Sequence, residues 1–337
     1  MEQSPWLSVV IPAYNSERYL NECVSSLELD ANSDIEVIIV DDGSTDSTPS
    51  VCDRLQARFL NLKVIHRPNG GSSSARNAGC REATGEWLWF VDSDDVVAPG
   101  VIPKLHRALA FSSCGIAGFQ FEYFNDYNLP KWQVVHSSEL KIDKIIDANE
   151  LLSRVYRGES RQYIWSYLFR RDALLLKDNL YTSDIGPCSN GYPFREDFSL
   201  YEDVVSFEQI VRHIDRVALL NAICYGYREN KASMSRRRNS DAAASGLKAV
   251  RELGSYHVPD SVSKDKQRME MNLLFSAYKL VEDGDSFRAL KDDITDEIER
   301  RAKVIGFAHL GGNRGIRYFL FKTGLMDLII RWRSIRA

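Results

Sequence analysis

The sequence is short of paired cysteines, long apolar runs and net charge, and each shortage narrows what the chain can be. Its six cysteines (Cys23, Cys52, Cys80, Cys114, Cys188 and Cys224) are scattered, with no CxxC and no close pair. That argues against a disulfide framework or a zinc site and for free thiols in a reducing compartment. No run of about 18 apolar residues occurs, so no membrane-spanning helix is expected. The opening MEQSPWLSVVIPAY is acidic and lacks a basic stretch, so no signal peptide is expected and the chain reads as cytoplasmic. Ten Pro and 20 Gly in 337 residues are too few for a collagenous or low-complexity chain. Lys and Arg number 43 against 47 Asp and Glu, a net charge of −4, so the whole molecule is no basic nucleic-acid binder. What remains, 44% hydrophobic and 27% charged, is a soluble globular composition with length for one large domain or two modest ones.

Four strand-like runs fill the first hundred residues: Leu7–Tyr14, Ile35–Asp41, Leu62–Arg67 and Glu86–Asp92. The first two are nearly continuous β-branched hydrophobics, as in parallel strands covered on both faces. Helical patterns separate them. In Glu17–Leu29 the apolar residues Tyr19, Leu20, Cys23, Val24 and Leu27 recur at helical spacing, Thr48-Pro49 opens a second helix, and Ser73–Ala83 forms a third that stops before Gly85. Such alternation predicts βαβ units and an open α/β sheet. Further on, Cys114–Asn125 reads as an aromatic-rich strand, Asp147–Arg157 and Trp165–Lys177 as helices, and Tyr181–Arg195 as a loop. Leu200–His213 reads as a helix, Val217–Arg228 as a late strand and Asn230–Asn239 as a basic loop. From about Asp241 the pattern is helical to the end, with candidate breaks at Ser255–Lys266 and Asp283–Ser286.

Carboxylates cluster where strands end. Asp41-Asp42-Gly43-Ser44-Thr45-Asp46 follows a buried strand, on the edge where open α/β sheets bind ligands; it is also the composition of a tight turn. Asp92-Ser93-Asp94-Asp95 ends the apolar run WLWFVD. Three carboxylates so close repel one another unless a cation neutralises them, and hard oxygen ligands suit Mg²⁺ or Mn²⁺. Against this stands a solvated acidic turn. Glu202-Asp203 is by itself a weak signal. Arg67, and Arg76 near a helix start, are placed either for a phosphate or as surface charges. The chain has no GxGxxG, no GxxxxGK[ST], no GxSxG and no HExxH, which weighs against dinucleotide oxidoreductases, P-loop nucleotidases, α/β-hydrolases and zinc hydrolases.

The ordered runs SVVIPAYN, EVIIVDDGSTDST, NGGSSSARNAG and ATGEWLWFVDSDD together resemble family 2 glycosyltransferases of the GT-A fold. The likeness is dense over residues 6–105 and thinner to about 239. It implies a Rossmann-like, mixed and mainly parallel sheet flanked by helices, with a helical C-terminal extension. The implied domains are a catalytic one over 1–239, with a nucleotide-binding half (1–105) and an acceptor half (106–239), and a helical region over 240–337. By position, Pro12, Ala13 and Tyr14 match contacts to the base and Asp42 the reader of uracil. Arg67, Arg76, Asp92 and Ser93 fall on the donor-binding side. Asp92 and Asp94 match the metal-binding DxD motif. Asp203, with Glu202 beside it, matches the general base. A second pair, Glu196-Asp197, leaves that base assignment open between Asp203 and Asp197. Ser233–Arg238 falls where the family has a loop closing over the donor. The implied activity is inverting, Mn²⁺- or Mg²⁺-dependent transfer from a UDP-sugar to a glycan, in capsule, lipopolysaccharide or other polysaccharide synthesis. A sugar nucleotidyltransferase would need a Gly-rich basic loop after the first strand, where PAYNSERYL stands. An inactive nucleotide-sugar-binding module would lack DxD or base, and both positions are filled.

The last segment is different in kind. Between Arg300 and Ala337 lie nine Lys or Arg and one acid, Asp327, interleaved with Phe307, Tyr318, Phe319, Phe321 and Trp332. A basic amphipathic segment reads as a membrane-surface contact; a packed helix or an oligomer contact would also use it. With a lipid-linked acceptor, this predicts peripheral attachment to the inner face of the plasma membrane. No nucleic-acid motif is present.

Overall fold

The structure is a computed structural model; it describes residues 4–128, 130, 132, 140–174, 194–229, 239–282, 284–305, 312–323 and 326. The chain divides into two compact units. The first comprises Met1–Leu152, Arg161–Asp197 and Glu202–Lys231, and the second Ser153–Ser160, Phe198–Tyr201 and Ala232–Ala337.

The chain opens as the alternation predicts: β1 (Leu7–Ala13), α1 (Leu20–Ser26), β2 (Ile35–Asp42), α2 (Thr48–Arg58), β3 (Leu62–Arg67), α3 (Ser72–Glu82) and β4 (Trp87–Phe90). Then follow β5 (Val96–Val97), α4 (Val101–Leu109), β6 (Ile116–Phe124), β7 (Ile142–Ile146), α5 (Ala148–Arg157), β8 (Tyr167–Arg170), α6 (Arg171–Leu174), α7 (Glu202–Val211) and β9 (Val217–Arg228). The strands form one sheet in the order β3-β2-β1-β4-β8-β6-β9-β5, with β7 also on β9. From β3 to β4 the pairing is parallel; β8 is antiparallel to both β4 and β6. The register aligns the strand ends, setting Ala13 beside Asp41 and Asp42 beside Arg67. The parallel half therefore delivers its acidic loops to one edge. Helix α3 seats tightly on β1: a Cβ at Gly79 would clash with Cγ1 of Val10.

One element differs from the sequence expectation. The helix expected over Trp165–Lys177 does not start there: a 3-10 turn at Ile164–Ser166 leads into β8, only Arg171–Leu174 (α6) is helical, and 175–177 lie outside the described residues. Tyr167, Leu168 and Phe169 are all buried, because this strand fills the gap between β4 and β6. A short apolar run covered on both faces carries no period that separates strand from helix. The short β5 and the mostly solvated β7 give no strand pattern either.

The second unit is helical where it is described: α8 (Ser240–Ser255), α9 (Asp260–Leu280), α10 (Arg288–Ile305) and α11 (Gly312–Lys322). Asn239 caps α8, its side chain accepting from the backbone N–H of Asp241 and Ala242. The break predicted at Ser255–Lys266 is shorter, since α9 already starts at Asp260. Part of the C-terminal positive charge is consumed internally. Arg301 is buried and pairs with Glu270 and Glu297, Arg300 pairs with Glu297, and Lys322 with Glu299. Tyr318 and Phe321 pack on the helical core, whereas Phe319 is exposed. Residues 327–337 lie outside the described residues.

Candidate active site

The loops after β1 and β2 are tied together before any ligand is considered. Asn15, in the left-handed region at φ 49°, donates its N–H to Ser44 Oγ at 3.0 Å and accepts from Thr45 N–H at 2.8 Å. Ser16 N–H donates to Thr48 Oγ1 at 2.7 Å, and the Ser16 and Ser93 hydroxyls meet at 2.6 Å. Ser93 thus fixes the DxD turn to the first loop. Pro12 is half-buried, Ala13 buried and Tyr14 half-exposed at the end of β1.

Asp42 is buried, and both its oxygens are engaged within the chain. They accept from Gly70 N–H at 3.1 Å and Gly71 N–H at 2.7 Å, and Arg67 Nε lies 3.3 Å away. Its carboxylate therefore shapes the loop ahead of α3. Arg67 has a task that neither sequence reading foresaw. Its guanidinium donates to the carbonyl and hydroxyl oxygens of Ser74, both at 2.7 Å, so these donors brace the start of α3.

Arg76 is the centre of the site. Buried on α3, it donates to Asp203 Oδ1 at 2.9 Å and to Asp92 Oδ1 at 3.4 Å, with Glu202 Oε1 at 3.6 Å. Its Nε has no hydrogen-bond partner among the described residues. Burial opposes its charge, but Asp203, Asp92 and Glu202 outweigh that and hold the guanidinium firmly protonated. Asp203 and Glu202 occupy the first turn of α7, where the helix dipole favours negative charge. Ser72 Oγ donates to Glu202 at 2.7 Å. Burial, against the pull of Arg76 and with help from Glu202 and Asp92, pushes the Asp203 carboxyl up to about 7. A carboxylate poised near neutrality is suited to take a proton. The rival pair is differently employed. Glu196 accepts from Ser74 Oγ and Asn77 Nδ2, and Asp197 takes both Nε and Nη2 of Arg195 at 2.8 and 2.7 Å.

The DSDD turn is clasped by β9. The Tyr225 hydroxyl accepts from Asp92 N–H at 3.0 Å and donates to Asp95 Oδ2 at 2.7 Å. Arg228 donates its N–H to Asp95 Oδ1 and its Nε to the Asp94 carbonyl, both at 2.7 Å, while its other nitrogens reach Asp126 and Glu22. Burial and the neighbouring Asp92 push Asp94 up to about 6. Among the described residues no three His, Cys, Asp or Glu form a ready metal cage. Asp92 and Asp94 nevertheless fit a hard divalent cation: they are oxygen donors whose mutual repulsion a cation would relieve. Tyr225 and Arg228 escaped sequence reasoning; the one hint is an Arg at the end of an apolar strand. Ser233–Arg238 lies outside the described residues, as does Tyr181–Arg195 apart from 194 and 195.

An open α/β sheet whose acidic loops meet at the carboxyl ends of its parallel strands places a ligand site at that edge. The chain belongs to glycosyl transferase family 2, whose family model matches residues 8–180. It is 30% identical over 234 residues to an uncharacterized glycosyltransferase, EpsJ, of Bacillus subtilis (strain 168), a match covering 68% of this chain and 63% of EpsJ. The chain therefore spans under two thirds of that relative. Among solved structures it resembles S. aureus TarS 1–349 in complex with UDP-GlcNAc, with a TM-score of 0.64 and 20% identity over 94% of this chain and 92% of that one. It also resembles the mannosyltransferase PcManGT of Pyrobaculum calidifontis in complex with GDP-Man and Mn²⁺, with a TM-score of 0.52 and 16% identity over 99% and 83% of the two chains. At these identities the structures speak for the fold, which is the GT-A arrangement.

Proposed function

We propose that this chain transfers a sugar from a UDP-sugar to a hydroxyl of a glycan acceptor, with inversion at the anomeric carbon. The observation carrying this reading is the Arg76 bridge, which brings Asp203 of α7 to Asp92 at the end of β4. Asp203 takes the proton of the acceptor hydroxyl. The freed oxygen bonds the anomeric carbon as the bond to the diphosphate breaks, and UDP leaves with the electron pair. One base opposite the leaving group gives single displacement, so an α-linked donor yields a β-linked product. Asp203 is preferred over Asp197, whose oxygens are both held by Arg195. Glu202 keeps Arg76 and Ser72 in place beside it. Pro12, Ala13, Tyr14 and the loop held by Asp42 form the base-binding side. Asp92 and Asp94 would hold Mn²⁺ or Mg²⁺, which when bound offsets the charge gained by the leaving diphosphate.

The acceptor in this reading is lipid-linked, in cell-surface polysaccharide synthesis, and the basic segment 300–337 meets the membrane. Among the described residues no helix is long and apolar enough to cross a membrane. Arg300, Arg301 and Lys322 are already paired, so the surface contact falls to exposed groups such as Lys303 and Phe319 and to the segment's end. Co-sedimentation with anionic vesicles, lost in a chain ending at 305, tests this part.

The main test is calorimetry with UDP, GDP and CMP, with and without Mn²⁺, on wild type and Asp94→Ala. UDP binding that needs both the metal and Asp94 is expected. GDP binding of the same kind would overturn the uridine assignment, and binding of no nucleotide would overturn the reading as a whole.

A further inference from the structure

Aromatic side chains gather beside the acidic turn, and the mechanism above uses only one of them. Strands β6 and β9 run parallel with Phe121 opposite Tyr225 and Tyr123 opposite Tyr227. Side chains two apart share a face, so these four rings stand together. Tyr163 and Trp165, from the turn before β8, lie against them. Trp165 stacks on Tyr225 at 4.6 Å, on Tyr163 at 4.9 Å and on Tyr227 at 5.2 Å. Tyr123 meets Tyr227 edge-on at 5.7 Å.

The cluster changes character from one end to the other. Its inner end, Tyr225 and Trp165, is buried, and the Tyr225 hydroxyl is the one that holds Asp92 and Asp95. Its outer end is wet: Tyr163 and Tyr227 are half-buried and Tyr123 is 52% exposed. All three outer rings are tyrosines, each with an apolar face and a hydroxyl at the rim. Burial and the charges of Asp95, Asp92 and Asp94 push the Tyr227 hydroxyl up to about 12, and burial first, then Tyr123, raises that of Tyr163. The outer rings are joined to the acidic turn by contact: Trp165 stacks on Tyr163, Tyr225 and Tyr227, the Tyr225 hydroxyl holds Asp92 and Asp95, and Arg76 bridges Asp92 to Asp203.

We infer that Tyr123, Tyr163 and Tyr227 form the acceptor subsite, and that its occupant is a neutral pyranose ring of the acceptor glycan. A pyranose presents C–H groups on its faces and hydroxyls on its rim. An aromatic face attracts the former through dispersion and its quadrupole, and phenolic O–H groups hydrogen-bond the latter. The surrounding carboxylates disfavour a phosphate-bearing acceptor at this place. Trp165 and Tyr225 act as positioning residues by fixing the outer rings. The inference rests on the reading of Asp203 as the base.

The test is saturation-transfer NMR on the UDP-loaded full chain. The probes are chito-, cello- and galacto-oligosaccharides, with glycerol 3-phosphate as the anionic comparison. Wild type is expected to transfer saturation to ring C–H protons of at least one oligosaccharide and not to glycerol 3-phosphate. Tyr123→Ala, at an exposed position, and Tyr227→Ala are expected to weaken that binding about tenfold, whereas Tyr227→Phe keeps most of it. UDP affinity is expected to stay unchanged in all three. No oligosaccharide binding by wild type, binding indifferent to Tyr123→Ala, or binding of glycerol 3-phosphate alone would each overturn the subsite. Loss of UDP binding in wild type would instead overturn the donor reading, and the subsite would then be judged on the saccharide signals without nucleotide.

Discussion

The two halves of the sheet solve the same problem in different ways. In the parallel half, β3-β2-β1-β4, the chemistry sits in loops just past strand ends, and one stretch of about ninety residues supplies all of it. In the other half, β8-β6-β9-β5, neighbouring strands come from distant parts of the chain, and the groups near the site project from strand faces. Parallel strands place their carboxyl ends together by topology alone, so a ligand edge follows from local sequence. A mixed half has no such common edge. Its contribution is a wall and a clasp, set by which residues the register brings side by side.

The comparison can be broken most sharply at the base. Asp203→Asn should lower transfer by about 10²–10⁴-fold with UDP affinity nearly intact, measured by product formation beside calorimetry. Because burial raises this carboxyl to about 7, wild-type transfer should fall as pH drops below 7, where Asp203 is protonated and cannot accept the hydroxyl proton. The Asn variant should lack that limb. Next comes the parallel half itself. Gly79→Ala drives a methyl into Val10 of β1, an overpacking expected to cost about 3 kcal/mol, read as a lower urea midpoint. The smallest effect is expected where the halves meet. Tyr225→Phe removes the hydroxyl that holds Asp92 and Asp95, at about 1–2 kcal/mol of stability. Metal-dependent UDP affinity should weaken there more than metal-free affinity. Equal weakening of the two would mean that the second half does not position the first half's turn.

Legibility in the sequence follows the same division. The strands ending at Ala13, Asp42 and Arg67 could be read because a buried parallel strand leaves an unbroken apolar run, closed by polar turn residues. Asp92 and Asp94 stand out through their acidic turn, whereas Glu202-Asp203 is weak by itself and takes its role only from the resemblance, which leaves Asp197 as a rival. Nothing local announces that Tyr225 grips a turn 130 residues earlier, or that Arg76 is buried among three acids, since these are consequences of pairing and burial. Arg67 illustrates the limit: nothing in the sequence around it announces that its guanidinium braces Ser74 at the start of α3. The helical reading of Trp165–Lys177 fails at Tyr167–Arg170 because an apolar run covered on both faces has no period.

The Asp42 carboxylate, saturated by Gly70, Gly71 and Arg67, has a thermodynamic consequence. The loop it holds is ordered when the protein folds, so in the proposed reading its conformational entropy is lost then and not on nucleotide binding. Ligand meets a surface already cut to shape, and the entropy of association on this side reflects the ligand's own freedom and the water it displaces.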